Sequence, residues 1–330
     1  MSEIREKFLS LKSYMDTKIV GQEDLVRKMI ITMLGNGHAL LEGAPGLAKT
    51  KAIKSLASLI SAQYNRIQFT PDLLPSDITG SDIYVSQKGE FEFREGPIFA
   101  NLILADEINR SPAKVQSALL EAMAERQVSV GGKTYQLPDL FMVMATQNPI
   151  EHEGTYNLPE AQLDRFLMYI KIDQPDVETE RKILRLVRSE EAGACGDDEQ
   201  CWLDQNKKPP HLSVEDVVAA QYEVQKVHVS EALEEYIVQL IIATRTPAKY
   251  DAKLAGQVLF GASPRATIAL DKCAKINAWL ENRDFVKPED VHKIAWDVLR
   301  HRIILSFEAQ AEGLTSDDVI ARIIKTVPLP

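Results

Sequence analysis

Cysteine is scarce: the 330 residues hold three, Cys195, Cys201 and Cys273. So small and odd a set makes no disulfide framework, and a reducing cytoplasm is the expected setting. Cys195 and Cys201 are near each other, but no further Cys and no nearby His pattern completes a zinc site with them. Long apolar runs are missing too; none approaches the ~18 residues that a membrane-spanning helix needs. The opening MSEIREKFLS carries charge from residue 3 and has no apolar signal core. Positive charge is in deficit, with 38 Lys plus Arg against 48 Asp plus Glu and a formal charge of −10. That balance argues against general binding to nucleic acid or anionic membranes, while leaving room for a local basic groove. There is no long internal repeat, and QNKKPP (205–210) has Pro209 where a guanine-reading NKxD motif requires Asp.

What is present is ordinary globular material, 45% hydrophobic and 26% charged, at a length that suits about two domains. Short apolar runs read as buried strands at HALLEG (38–43), RIQFT (66–70), NLILAD (101–106), LFMVMAT (140–146) and MYIKI (168–172). Helical patterns alternate with them. Ala48 to Ile60 carries Ile53, Leu56, Ala57 and Ile60 on one stripe, and Pro112 to Glu125 starts with Ser111 as the expected N-cap and Pro112 at the first helical position. This alternation implies an α/β fold with a parallel sheet covered on both faces. Two hairpins interrupt it, at 83–94 around Lys88-Gly89 and at 128–135 on Gly131-Gly132. Residues 189–212 read as a linker; five acids and no Lys or Arg fall between Ser189 and Cys201, and Pro209-Pro210 follow. Beyond it the strands are expected to stop. Val214–Val227, Glu231–Thr244, Pro264–Leu280, Pro288–His301 and Ser316–Lys325 all read as helices.

The chemistry concentrates in three places. GAPGLAKT, Gly43 to Thr50, lies between a strand and a helix, the context of a phosphate-binding loop. Its glycines let backbone N–H groups turn inward onto a polyphosphate, and the helix N-terminus adds partial positive charge. Lys49 would neutralise the β and γ phosphates, and Thr50 would offer its hydroxyl to Mg²⁺. Ala48 stands where the pattern has Gly. NLILADE ends a strand in Asp106 and Glu107; the first suits the Mg²⁺ shell, the second a general base that polarises water. Asn148, in ATQNP, follows the next strand and faces the ligand crevice, where it would hold the attacking water or the γ phosphate. His152, between Glu151 and Glu153, reads as part of a polar turn.

GAPGLAKT, LILADEINRSPAKVQSALLEAM, ATQNPIEHEGTYNLPEAQLDRF and GASPRA together resemble the MoxR family of AAA+ ATPases, from about Val20 to the C-terminus. Members of that family commonly carry Ala at the departing loop position. The resemblance implies a P-loop αβα sandwich on a five-stranded parallel sheet over residues 1–188, followed by a small all-α lid over 213–330. It implies ATP and Mg²⁺ as cofactors. The nucleotide cradle would be Gly43, Ala44, Pro45, Gly46, Leu47, Ala48, Lys49, Thr50 and Lys51, with Ile19, Val20, Gly21 and Gln22 packing on the adenine. Arg165 in LDRF would be an arginine finger reaching a neighbouring subunit's ATP, and Arg265 the sensor-2 arginine of the lid, touching the γ phosphate. The hairpins would face the pore or partner side of a ring. Their Tyr84, Phe91 and Phe93 read either as a client grip or as the hairpin's own buried face.

The work the resemblance implies is remodelling, maturation or metal-cofactor insertion of a protein client by a hexameric ring, often with a von Willebrand factor A domain partner. Two alternatives stay open at this point: a AAA+ motor on nucleic acid, and a nucleotide-gated switch with little turnover. Replacing Lys49 with Ala is expected to abolish nucleotide binding; an ATP titration that returns an unchanged affinity removes the loop from this role.

Overall fold

The computed structural model describes residues 2–43, 49–148, 154–192 and 209–329. Ala44, Pro45, Gly46, Leu47 and Ala48 of the expected loop lie outside them, as do Glu151, His152, Glu153, Cys195, Cys201 and most of the expected linker. Helices α1 (Glu3–Lys18) and α2 (Glu23–Leu34) come first, then β1 (Ala39–Glu42), α3 (Lys49–Leu59), β2 (Tyr64–Gln68) and the short α4 (Pro75–Thr79). The hairpin β3 (Gly80–Val85) and β4 (Glu90–Glu95) precedes β5 (Leu102–Asp106) and α5 (Ala113–Glu125). The hairpin β6 (Gln127–Val130) and β7 (Lys133–Gln136) precedes β8 (Met142–Gln147), α6 (Glu160–Leu163), β9 (Met168–Lys171) and α7 (Val177–Ala192). The C-terminal part holds α8 (Val214–Gln225), α9 (Glu231–Arg245), β10 (Val258–Phe260), α10 (Pro264–Leu280), α11 (Pro288–Leu299), β11 (Ile304–Leu305), α12 (Phe307–Ala311) and α13 (Ser316–Thr326).

Five strands form one parallel sheet in the order β2-β5-β8-β1-β9. Strand periodicity sorts its apolar residues onto two faces. Leu41, Leu102, Leu104, Met142, Met144 and Ile170 join the core that includes α1, α2, α3 and the C-terminal helices. Leu40, Ile103, Ala105, Val143, Ala145 and Tyr169 face the other way, onto α5 and the segment around Ile78 and Ile98. Both faces are covered, which is why the strands read as nearly continuous apolar runs.

Two local readings change, and one pair of helices was not read. Pro112 is itself the N-cap of α5, in extended backbone, and Ser111 instead donates to the Ile108 carbonyl. The strands do not stop at the linker: β10 pairs antiparallel with β11, two segments too short to show a period. Sequence periodicity also did not single out α1 and α2, which are fastened to the C-terminal helices. Phe8 meets Trp279 edge-on at 5.7 Å, Arg5 pairs with Asp284 at 2.6 Å, and Arg27 donates to Asn277 and Glu281, each at 2.6 Å.

The hairpins form as expected. Gly131 and Gly132 take φ of +57° and +77°, the left-handed pair that a primed two-residue turn requires. The three aromatics divide between the two readings. Phe93 stacks on Tyr135 of the second hairpin at 3.9 Å, whereas Tyr84 and Phe91 stay exposed and touch each other, 5.3 Å apart.

His38, at the entrance to β1, is buried and lies edge-on to Phe141. Its Nδ1 accepts from the Val143 N–H at 3.0 Å and its Nε2 faces the Met123 carbonyl at 3.3 Å. Burial and the Arg126 charge pull its pKa down from 6.5 to about 4. Between those values the unfolded chain binds the extra proton, so the contribution of His38 is complete above pH 6.5 and is lost as pH falls toward about 4. The slope from one such group is at most about 1.4 kcal/mol per pH unit. His301 is lowered in the same direction by burial. His38→Gln keeps one donor and one acceptor without a titrating ring. Its unfolding free energy is expected to fall less steeply than wild type over this window in denaturant titrations at stepped pH. Parallel curves would remove His38 from the acid response.

Candidate functional site

Because the sheet is parallel, β1, β5 and β8 deliver their C-terminal ends to one edge, and the chemistry-bearing residues follow those ends. Lys49 begins α3 and donates to the Gly43 carbonyl at 2.7 Å. Burial pulls its pKa down, opposed by the nearby Asp106 and Glu107 carboxylates. Thr50 is half-buried in the same first turn, and Lys51 is exposed.

Asp106 ends β5, and its two oxygens have separate partners. Oδ1 accepts from the Thr146 hydroxyl at 2.6 Å, and Oδ2 accepts from Arg66 Nη2 at 2.6 Å. Glu107 has left-handed backbone, φ +58° and ψ +49°, uncommon for a residue with a side chain and costly enough to need support. Thr146 supplies it, its oxygen accepting from the Glu107 N–H at 2.9 Å. The Glu107 carboxylate accepts from Gln68 at 2.8 Å and pairs with Arg110 at 3.2 Å, and Arg66 also donates to Gln68 at 2.9 Å. Thus β2, β5 and β8 together aim the two acids.

Asn148 is half-buried directly after β8. Its neighbour Gln147 donates to Tyr169 at 2.7 Å and to Glu42 at 3.2 Å, and Tyr169 donates to Glu42, which ties the end of β8 to the ends of β1 and β9.

The expected adenine segment is only partly open. Ile19 is packed into the core, so it does not offer an apolar face; Val20, Gly21 and Gln22 stay half-buried. Gly21 has φ +74°, and a Cβ there would lie 2.0 Å from Thr179 at the start of α7, so only glycine permits that approach.

The two remaining arginines gather elsewhere. Arg165 is exposed and donates to the Leu120 carbonyl at 2.6 Å. Arg265, at the start of α10, approaches Asp164 at 3.5 Å. Neither partner belongs to the group around Lys49, Asp106 and Glu107. The sequence reading missed Thr146, Gln68, Arg66 and Asp164. The only signal for Thr146 was a lone hydroxyl in the otherwise apolar run of β8.

Residues 38–168 match the ATPase family associated with various cellular activities (AAA), and residues 254–323 match the AAA lid domain. The chain is 45% identical to chaperone MoxR1 of Mycobacterium tuberculosis, over 94% of this chain and 79% of that one. It is 44% identical to YeaC of Bacillus subtilis, over 94% and 91%. A crystal structure from Cytophaga hutchinsonii, described as an ATPase, superposes with a TM-score of 0.87 at 46% identity, covering 99% of this chain and 96% of that one. With Lys49 and the paired acids Asp106 and Glu107 at one edge of a parallel sheet, these similarities make the chain a member of the MoxR family of AAA+ ATPases, an enzyme that hydrolyses ATP.

Proposed function

We propose that the chain is a Mg²⁺-dependent ATPase that assembles into a ring, most simply a hexamer, and uses turnover to remodel or mature a protein client. The observation that carries this reading is Glu107, held in left-handed backbone by Thr146 beside Asp106 and close to Lys49. Strain maintained at a strand end is consistent with a carboxylate that must point at one place.

The residues suit a magnesium ion. Thr50 and Asp106 are hard oxygen donors, and the Asp106 Oδ2 already attracts a cation, the half-exposed Arg66 guanidinium. Bound there, the metal would neutralise charge on the β and γ phosphates. Gly43 to Lys51 would cradle those phosphates, with Lys49 adding a point charge. Glu107 would take the proton of the attacking water as the water oxygen bonds to the γ phosphorus and the bond from that phosphorus to the β–γ bridging oxygen breaks, leaving ADP and phosphate, and Asn148 would hold that water in line. Val20, Gly21 and Gln22 would border the base.

Arg165 contacts the Leu120 carbonyl and Arg265 approaches Asp164, neither of them at the chain's own Asp106 and Glu107, which supports their serving the site of a neighbouring copy. There a guanidinium would offset charge on the transferring phosphoryl group. The relative named chaperone MoxR1 supports a protein client, and a von Willebrand factor A domain protein is the partner class the family suggests. The first hairpin carries Glu90, Glu92 and Glu95 against Lys88 and Arg94, which disfavours nucleic acid as its target. Among the described residues no helix is long and apolar enough to cross a membrane; a cytoplasmic setting is part of the proposal.

Glu107→Gln is expected to keep ATP bound while turnover falls by about 100-fold or more, read by nucleotide titration and phosphate release. Full turnover in that variant would exclude Glu107 as the base. Arg165→Ala is expected to lose about 1,000-fold in turnover. Mixing it with Lys49→Ala subunits, which keep Arg165, should restore phosphate release where an intact site meets an intact finger. No recovery on mixing would argue against action between copies.

A further inference from the structure

Asp164, the residue before Arg165, is half-buried and gathers three donors from the C-terminal part of the chain. Ser263 donates at 2.9 Å, Arg302 Nε at 2.8 Å, and Arg265 stands at 3.5 Å. Arg302 is the unusual member. Its side chain is 3% exposed, and burial of its charge is costly unless every N–H is used. Its other nitrogens donate to the Phe166 carbonyl at 2.7 Å, the Asp164 carbonyl at 3.3 Å, the Leu167 carbonyl at 3.4 Å and the Val298 carbonyl. The two residues before it act on the same segment. His301 Nε2 contacts the Phe166 carbonyl at 3.1 Å, and Arg300 donates to the Tyr169 carbonyl at 3.0 Å. The turn Arg300–Arg302 therefore grips the backbone from Asp164 to Tyr169, and Arg165 lies inside that stretch. By contrast, the guanidinium of Arg165 itself is exposed and, among the described residues, makes one backbone contact, at Leu120.

We infer that Arg302, through Asp164, is a positioning residue that sets Arg165 and Arg265 as one unit for the neighbouring copy's ATP site. The inference rests on Arg165 acting between copies. Asp164 accepts from Ser263 and Arg302 and pairs with Arg265, and its backbone continues directly into Arg165, so the placement of both exposed arginines follows from how Asp164 is held. Arg302 holds that carboxylate in place from the buried side. A planar fork meets both the carboxylate and the carbonyls at once, which a lysine does not.

The test uses Arg302→Lys and, as a second variant that leaves the buried arginine in place, Asp164→Asn. Nucleotide titration is expected to return wild-type affinity for both, because neither touches the chain's own phosphate loop. Turnover is expected to fall about 100-fold, the loss typical of a reacting group displaced by an ångström. Mixing either variant with Lys49→Ala subunits, whose Arg165 and Arg302 are intact, should restore turnover to the level that Arg165→Ala reaches with the same partner. The double variant Arg165→Ala/Arg302→Lys should be no slower than Arg165→Ala alone. Wild-type turnover in both variants, beside an inactive Arg165→Ala, overturns the positioning role and leaves the finger standing. So does a loss in both that mixing fails to repair while Arg165→Ala is repaired, since that marks a defect of folding. Full turnover in Arg165→Ala itself overturns the finger reading, and this inference with it.

Discussion

All five strands of the central sheet run the same way, and most of the rest follows from that constraint. Parallel strands expose the same end to the same side, so residues far apart in the chain meet without a special loop to bring them. Gly43 follows β1, Asp106 ends β5, and Asn148 follows β8, and these three strands are neighbours in the order β5-β8-β1. A parallel sheet must also be covered on both faces. Here that cover comes from α3 and α5, and from α1 and α2, which are themselves tied to the C-terminal helices through Arg5, Arg27 and Phe8. The edge that gathers the acids and the core that buries the strands are consequences of one geometry.

The sheet was legible because its strands are buried on both faces and so appear as apolar runs. Gly131-Gly132 announced its hairpin, since few residues accept two successive left-handed positions. Helix α1 was harder to see: four residues, Arg5, Phe8, Leu11 and Met15, are buried along its length, one of them charged, while the apolar Ile4 and Leu9 lie off that buried set. At the site, Lys49, Asp106 and Glu107 stood out because strand and helix boundaries frame them. Thr146 did not, because its importance lies in two partners about 40 residues away: Asp106 itself and the N–H of Glu107. Arg302 was less legible still, its carboxylate partner being 138 residues distant. Polar residues whose meaning is a long-range hydrogen bond leave no period in the sequence. Ile19 shows the opposite error, since an apolar side chain beside a glycine suggested a surface for a ring, and the fold used it as core.

Charge is distributed by role. The exposed Arg165 and Arg265 are loosely held, with one carbonyl and one carboxylate as their contacts. The buried Arg302 is held at every nitrogen that the structure assigns a partner. The exposed guanidiniums keep room to move, while the buried one beneath them is committed to the fold. Asp164 lies at the boundary and belongs to both.

The stack of Phe93 on Tyr135 joins two hairpins that leave the chain at different points. One immediately precedes the segment entering β5, and the other the segment entering β8. Tyr84 and Phe91 are exposed on the first hairpin, on the same face as Phe93 by the strand register. A displacement of one hairpin is therefore shared with the other through that stack, and each leads by a short segment into a neighbouring strand of the central sheet, β5 ending at Asp106 and β8 at Gln147.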